Sequence, residues 1–315
     1  MDNQQPVTKS LGKGIFFACL ASTLWGISGT MLQYVSQNQA IPAPWFIGAR
    51  TLGAGVILLV VSLIMYRGQT FEIFKHPKDL LRLVAYAAFG LAANLYTFYI
   101  SIEQGNASSA TILQYLSPLF IVLWATIAHH ERPVRGDLIA FALALIGVVL
   151  AITRGNLSSL AVPVSAIIWG ILSGVTAAMY VTIPKPLVAK YPPFVVLGWG
   201  TFIASIGFNI WRPVWINHPP LTPQLWIGLG TVILVGTVGA FSLLLISLTY
   251  APESVVSILD ALQPVVTFVL SIIVFHSKVT VVEVIGVITV LVAIYVLQRS
   301  RLKVAQDVDE MHQLK

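Results

Sequence analysis

Ten apolar stretches, each long enough to cross the ~30 Å hydrocarbon core of a bilayer, fill this chain of 315 residues almost from end to end. Lipid offers no partner to backbone N–H and C=O groups, so each stretch is predicted to be a helix that pairs its own backbone. The predicted spans are 14–35, 43–66, 81–102, 107–128, 135–153, 162–183, 193–211, 225–249, 252–276 and 280–298. The sequence therefore predicts an all-α integral membrane protein and leaves no room for a soluble domain.

The composition agrees with this class and argues against others. Hydrophobic residues make up 57% of the chain and charged residues 10%, whereas about 25% of the residues of a soluble domain are charged. The net charge of +6 does not indicate nucleic-acid binding, because the basic residues lie in short loops rather than on one face. We therefore expect membrane lipid, and no nucleic acid, as a partner.

The distribution of basic residues predicts the orientation of the chain. With the N-terminus in the cytoplasm, 14 of the 18 Lys and Arg residues lie in cytoplasmic segments or in the span ends beside them. Three lie outside, and Arg50 lies within a span. This bias is typical of multi-pass membrane proteins. It predicts that both termini, residues 1–13 and the tail 299–315, are cytoplasmic.

The two halves of the chain resemble each other weakly but in register. Residues 98–150, moved forward by 146 positions, align with the second half without a gap, and both 112–118 and 258–264 read Ile-Leu-x-x-Leu-x-Pro. Such self-similarity indicates a duplication. Each half, 14–153 and 162–298, holds five spans, and an odd number inverts the second half in the membrane. Inverted repeats are typical of secondary transporters, which bind substrate near the midplane between the repeats.

Several local features recur in a familiar order along these spans. They are Trp25-Gly26 in the first span, Arg50 in the second, Asn94 with Tyr96 and Tyr99 in the third, the repeated pattern at 112–118 and 258–264, Glu131 after the fourth span, and Gly147 in the fifth. In this order the chain resembles the EamA family of the drug/metabolite transporter (DMT) superfamily, over about residues 14–298.

This resemblance implies both a fold and an activity. The fold is a basket of ten helices in two inverted five-helix repeats around a central cavity, lined mainly by helices 1, 3, 4, 6, 8 and 9. The activity is export or exchange of small metabolites, notably amino acids, across a bacterial plasma membrane. One departure is visible: Ser277 stands where the first half has Glu131, so no symmetric role for that glutamate is implied.

Asp260 is the only acid well inside a predicted span, and Gln114 occupies the equivalent position of the first repeat. Ionisable side chains within a span usually mark a substrate or ion path. Asp260 is therefore a candidate for proton coupling or for binding a substrate ammonium group. The alternative is structural, a protonated carboxyl that ties two helices together by a hydrogen bond. Inverted symmetry predicts that Asp260 and Gln114 face one cavity from opposite sides of the midplane.

Arg50 is the only basic residue clearly within a span. A guanidinium can hold a substrate carboxylate in a bidentate pair. Its long side chain can instead extend to the outer headgroups. A structural ion pair with Glu103 is a third alternative.

Other polar and aromatic residues recur at helical spacing in the first, third and sixth spans. The small residues and hydroxyls among them are expected to serve helix packing, whereas the larger side chains favour a cavity wall. The predicted substrate-binding residues are Trp25, Arg50, Asn94, Tyr99, Gln114, Tyr180, Asp260 and Gln263.

Missing motifs narrow the function further. The chain has no Gly-x-x-x-x-Gly-Lys-[Ser/Thr] phosphate loop, and all six histidines lie in loops, span ends or the tail. No nucleophile–base pair is evident within the spans. We therefore expect no enzyme activity, no cofactor and no metal site.

These observations and the resemblance predict a secondary active transporter for a small-molecule substrate, an amino acid or a related amine or carboxylate. It would export or exchange this metabolite by alternating access, with the proton as candidate coupling ion. One alternative is a facilitator without ion coupling, which differs in the role of Asp260. Another is a membrane-embedded enzyme or sensor for a lipid-like ligand. The sequence carries no signal of the oligomeric state.

Overall fold

The computed structural model describes residues 11–128, 134–156, 160–216, 218–277 and 279–313 of the chain. Glu131, and residues 1–10 of the predicted N-terminal segment, lie outside these ranges. The described residues are mostly helical and contain no β-strand, and they include ten helical segments long and apolar enough to cross a membrane. The predicted fold class and the predicted number of spans are confirmed.

We name these ten helices α1 to α10 in chain order, and two of them consist of two parts. The bounds are α1 Leu11–Asn38, α2 Ala43–Tyr66, α3 Pro77–Gln104, α4a Ala107–Gln114, α4b Ser117–Ala128, α5 Arg135–Thr153, α6 Val164–Thr182, α7 Pro193–Trp211, α8 Pro223–Tyr250, α9a Glu253–Asp260, α9b Leu262–Phe275 and α10 Val281–Gln313. A 3₁₀ helix, Arg67–Lys75, follows α2. Ten crossings bring the start of α1 and the end of α10 to the same side of the bundle, which we call the terminal face. The other side is called the opposite face.

Polar residues and prolines fix several helix starts. The Asn106 side chain accepts a hydrogen bond from the Ser109 N–H at 2.8 Å and caps α4a. The Thr222 hydroxyl accepts one from the Leu225 N–H at 3.2 Å and caps α8. Both bonds satisfy a donor that the first turn of a helix leaves free. Proline occupies the first turn of α2, α3 and α7, where its missing N–H removes no helical hydrogen bond.

Helix packing relates the two repeats as an inverted pair. The helix α1 packs against α8 and α9, and its counterpart α6 packs against α3 and α4. The first helix of each repeat therefore inserts into the other repeat. The remaining pairs also join counterparts, because α2 packs on α7 and α5 packs on α10.

Irregular helical segments occur at equivalent positions of the two repeats. A π-helical segment interrupts α3 at Tyr86–Ala92 and α8 at Thr231–Gly239. Moved forward by 146 positions, the first of these falls on 232–238, inside the second. The breaks in α4 and α9 also coincide, because α4a ends at Gln114 and α9a ends at Asp260. The duplication seen in the sequence is therefore repeated in the backbone.

The helices α5 and α10 approach each other backbone to backbone at two glycines. A Cβ atom on Gly147 would lie 2.8 Å from the Gly286 carbonyl oxygen, and one on Gly286 would lie 2.7 Å from the Gly147 carbonyl oxygen and against the Ala151 backbone nitrogen. Small residues permit such close packing in membranes. At the opposite face, the same helix pair is joined by an ion pair between Arg154 Nε and Glu283 Oε2 at 2.8 Å.

We expect Gly286→Ala to force α5 and α10 apart, because the new methyl group has no space against the backbone. Overpacking of this kind costs about 1–3 kcal/mol, so the Tm of the purified protein in detergent should fall. Gly207 has open space around it, so Gly207→Ala is the matched control and should leave the Tm unchanged or slightly raised. An equal loss of stability in both variants would contradict the close α5–α10 contact.

Candidate functional site

Two prolines place Gln114 and Asp260 at the centre of the bundle. Pro118 and Pro264 each follow a helix break by a few residues. Because proline has no N–H, neither can donate to the carbonyl four residues earlier, which belongs to Gln114 in α4a and to Asp260 in α9a. Each break therefore leaves a main-chain acceptor without its helical donor, and it does so beside the side chain that the sequence singled out.

A tyrosine joins the two breaks. The Tyr115 hydroxyl lies 2.8 Å from the carbonyl oxygen of Asp260, to which it donates, and 3.1 Å from Gln263 Oε1. Tyr115 directly follows α4a, so this contact bridges the break of α4 and the break of α9. At the equivalent position of the second repeat stands Ala261, which has no donor.

The carboxyl group of Asp260 is left incompletely bonded. Its Oδ1 atom is buried and has no hydrogen-bond partner among the described residues. The tie between α4 and α9 runs through the main-chain carbonyl of Asp260 and the side chain of Gln263, and the same Tyr115 hydroxyl also lies close to the Asp260 carboxyl group. The arrangement therefore presents a carboxyl oxygen that is free to accept a donor.

On the side of the first repeat, an amide network joins α3, α4 and α6. The Gln114 side-chain nitrogen donates to Ser173 Oγ at 3.0 Å and to Asn94 Oδ1 at 3.4 Å. The Asn94 side-chain nitrogen in turn donates to the Ser173 carbonyl at 3.1 Å and to Thr176 Oγ1 at 3.3 Å. Asn94, Gln114 and Ser173 thus come together as one polar cluster.

Arg50 points into the bundle, towards the second repeat. Its Nη2 donates to Thr237 Oγ1 at 3.3 Å, and Thr237 lies in the π-helical segment of α8. No ion pair joins Arg50 to Glu103, although both residues are described. Tyr180 of α6 lies within electrostatic range of both Arg50 and Asp260. Arg50 and Asp260 therefore both interact electrostatically with a single tyrosine.

Aromatic rings line the same region. Trp25 packs edge-on against Phe241 at a centroid distance of 5.2 Å, and Tyr180 contacts Phe241 at 6.4 Å and Tyr86 at 5.7 Å. These rings come from α1, α8, α6 and α3, so they form a wall that crosses from one repeat to the other. Such a wall offers ring faces to a substrate cation or an apolar side chain.

Tyr99 lies apart from the other predicted residues. Its ring is fully buried beside Phe46, with centroids 5.7 Å apart. Its hydroxyl donates to the Ile41 carbonyl at 2.6 Å, near the opposite face. The structure therefore brings seven of the eight predicted residues to the centre and places Tyr99 in the apolar core.

Sequence reasoning missed the roles of Tyr115, Thr237, Phe241 and Tyr86. Tyr115 offers the best signal, since it follows Gln114 and differs from its repeat counterpart Ala261. Thr237 and Phe241 lie in a nearly uniform apolar span, where hydropathy does not distinguish one face from another. Taken together, the site has a carboxylate, a guanidinium, an amide cluster and an aromatic wall, which suits a small polar molecule with one or two charges.

Comparisons with known proteins agree with this site and fold. The model of the EamA-like transporter family matches residues 12–153 and 164–299. An uncharacterized inner membrane transporter of Salmonella typhimurium, YicL, is 33% identical over 285 residues, which cover 90% of this chain and 94% of that protein. An uncharacterized transporter of Archaeoglobus fulgidus is 28% identical over 196 residues, 59% of this chain and 63% of that protein.

A solved crystal structure of a protein has a similar fold, with a TM-score of 0.60 at 16% identity, over 90% of this chain and 94% of that one. The family model covers both halves of the chain, and the bundle has ten apolar helices in two inverted repeats. The resemblance seen in the sequence is confirmed: this membrane protein belongs to the EamA-like transporter family.

Proposed function

We propose that this transporter is a secondary active exporter or exchanger of a small metabolite, an amino acid or a related amine or carboxylate. It works by alternating access to a site between the two repeats, among α1, α3, α4, α6, α8 and α9. In this proposal the terminal face is cytoplasmic, as the excess of Lys and Arg in its segments favours. The membrane is the plasma membrane of a bacterium.

The observation that carries the proposal is the free Oδ1 atom of Asp260 at the break of α9. An unpaired buried polar atom costs about 1–3 kcal/mol, and this cost is removed when a proton or a substrate ammonium group binds. Intramembrane carboxyls of this kind mark ion and substrate paths. Asp260 therefore supports a role in coupling or in substrate binding more than a role in packing.

Arg50 supplies the opposite charge. Among the described residues its side chain donates only to Thr237, and a guanidinium has five N–H donors. Its remaining donors suit a substrate carboxylate in a bidentate pair. Because Tyr180 interacts electrostatically with both charged groups, the site suits a molecule that carries both an amine and a carboxylate.

Alternating access requires the two repeats to rock about this site. The Tyr115 hydroxyl bonds the break of α4 in one repeat to the break of α9 in the other. Relative motion of these helices stretches or breaks that bond. Tyr115 therefore contributes to the balance between the conformations that open to either face.

The first test concerns Asp260. Purified protein in proteoliposomes should transport a labelled amino acid when a pH gradient is imposed, and Asp260→Asn should abolish this gradient-driven flux, because the amide cannot exchange a proton. Glu103→Gln, which removes an acid at the end of α3, is the control and should retain the flux. Flux in Asp260→Asn that equals the wild-type flux, with or without the gradient, would contradict coupling through Asp260 and favour an uncoupled facilitator.

The second test concerns Arg50. We expect Arg50→Gln to raise the KM for an amino acid about tenfold or more, since a hydrogen bond to a charged group contributes about 1.5–3 kcal/mol. The KM for the matching amine, which lacks the carboxylate, should change little. Arg50→Lys keeps the charge but loses the bidentate geometry. Its KM for the amino acid should therefore lie between that of the wild type and that of Arg50→Gln. If Arg50→Gln raised the KM for the amino acid and the KM for the amine equally, the result would argue against a site for the substrate carboxylate.

The third test concerns Tyr115. Tyr115→Phe keeps the ring and removes a bond of about 0.5–1.5 kcal/mol between the breaks, so the turnover rate should change about two- to tenfold with little change in KM. Tyr250→Phe, an exposed tyrosine at the end of α8, is the matched control and should transport at the wild-type rate. A Tyr115→Phe variant with unaltered kinetics in both directions of transport would contradict this role.

A further inference from the structure

A cavity lies apart from the residues of the site between the repeats. It is a cleft of about 720 Å³ at the terminal face, between the first turns of α3 and the connection from α6 to α7. Its walls include Lys78, Asp79, Arg82, Ile183 and Lys190. The proposed transport mechanism uses none of these residues, and the cleft requires its own explanation.

The acid in this cleft is already paired. The Asp79 carboxylate is 5% exposed and accepts hydrogen bonds from the Tyr191 hydroxyl at 2.9 Å and from Lys190 Nζ at 3.2 Å. Burial and the Asp79 carboxylate raise the pKa of Tyr191 to about 12, so its hydroxyl stays protonated and continues to donate at neutral pH. Asp79 therefore offers little negative charge to the rest of the cleft.

Two cations of the cleft have no partner. Lys78 and Arg82 are exposed, and neither forms an ion pair or a side-chain hydrogen bond with any other residue that the structure describes. They stand four residues apart, so their side chains leave the same face of α3 one turn from each other. Like charges at this spacing repel. An anion bound between them would relieve the repulsion and gain a charge-assisted contact with each.

The surroundings are apolar and lie at the edge of the membrane span. Leu81, in the cleft wall, is 72% exposed, and Val84, one turn further along α3, is 43% exposed. Phe74 of the 3₁₀ helix that follows α2 is also exposed, at 40%, and packs on Trp199 with centroids 4.6 Å apart. The cleft therefore lies at the end of a membrane span, among exposed apolar side chains.

We propose that this cleft binds an anionic phospholipid, with its phosphate held by Lys78 and Arg82 and an acyl chain lying along Leu81 and Val84. Basic pockets between membrane helices are suited to such headgroups. A free phosphate would satisfy the two cations equally well, but the exposed apolar side chains beside them belong to a membrane span, so a lipid brings its phosphate and its acyl chain to the same place. The lipid uses both parts of the surface.

The experiment measures lipid-dependent stability in nanodiscs. Protein is placed in phosphatidylcholine with increasing amounts of phosphatidylglycerol, and the rise in Tm gives an apparent affinity. We expect the Lys78→Gln/Arg82→Gln double variant to bind phosphatidylglycerol about twentyfold or more weakly, at about fivefold for each charge removed. The matched control is Arg67→Gln/Lys75→Gln, which removes two charges on the same face but outside the cleft lining, and it should keep wild-type affinity.

Three results would overturn the proposal. The first is an equal loss in both double variants, which would mean diffuse surface attraction rather than a site. The second is an unchanged affinity in the cleft variant. The third is the same rise in Tm when inorganic phosphate is added to phosphatidylcholine nanodiscs, which would identify a soluble anion as the ligand. If the cleft variant is too unstable to measure, the single variants Lys78→Gln and Arg82→Gln serve instead, and each should lose about fivefold.

Discussion

The missing N–H groups of Pro118 and Pro264 are the constraint on which the rest of this bundle depends. Each removes a helical hydrogen bond at the middle of a span, where lipid cannot replace it. A broken helix is tolerated in a membrane only where protein or a water-filled cavity surrounds the break. The exchange of α1 and α6 between the repeats surrounds both breaks with protein. It therefore fixes the position of the site as well as the fold.

The two repeats share their backbone irregularities but differ in their side chains. In the alignment of the two repeats, Gln114 occupies the same position as Asp260, and Tyr115 the same position as Ala261. As a result, the hydroxyl that satisfies the broken helix α9 has no counterpart for α4. At the two breaks, the first repeat contributes a neutral amide, Gln114, and the second contributes a carboxyl group, Asp260. The two breaks therefore share a backbone geometry but offer different side chains.

The sequence predicts the parts of this structure that depend on length, hydropathy and proline. Spans 135–153 and 193–211 match α5 and α7 at both ends. The Ile-Leu-x-x-Leu-x-Pro repeats contain both breaks, but the predicted spans 107–128 and 252–276 are continuous there. The sequence does not predict the π-helical segments, because hydropathy is the same whether a backbone N–H bonds to the carbonyl four or five residues earlier. The sequence also does not predict the position of Tyr99 in the apolar core. Its hydroxyl donates to the Ile41 carbonyl, which lies far from it in the chain.

Buried charged side chains of the bundle fall into two physical classes. Near its two faces, the buried acids Asp79 and Glu283 are paired, with Lys190 and Arg154 respectively. These pairs keep side-chain contact with solvent through the lysine and the arginine, which limits the cost of desolvation. In the centre, where desolvation costs more, the part of the chain that the structure describes offers the Arg50 side chain one hydrogen-bond partner, Thr237, and offers Asp260 Oδ1 none. The bundle therefore pairs these two buried acids near its faces and leaves Arg50 and Asp260 incompletely bonded at its centre, where a ligand of the proposed site would complete their interactions.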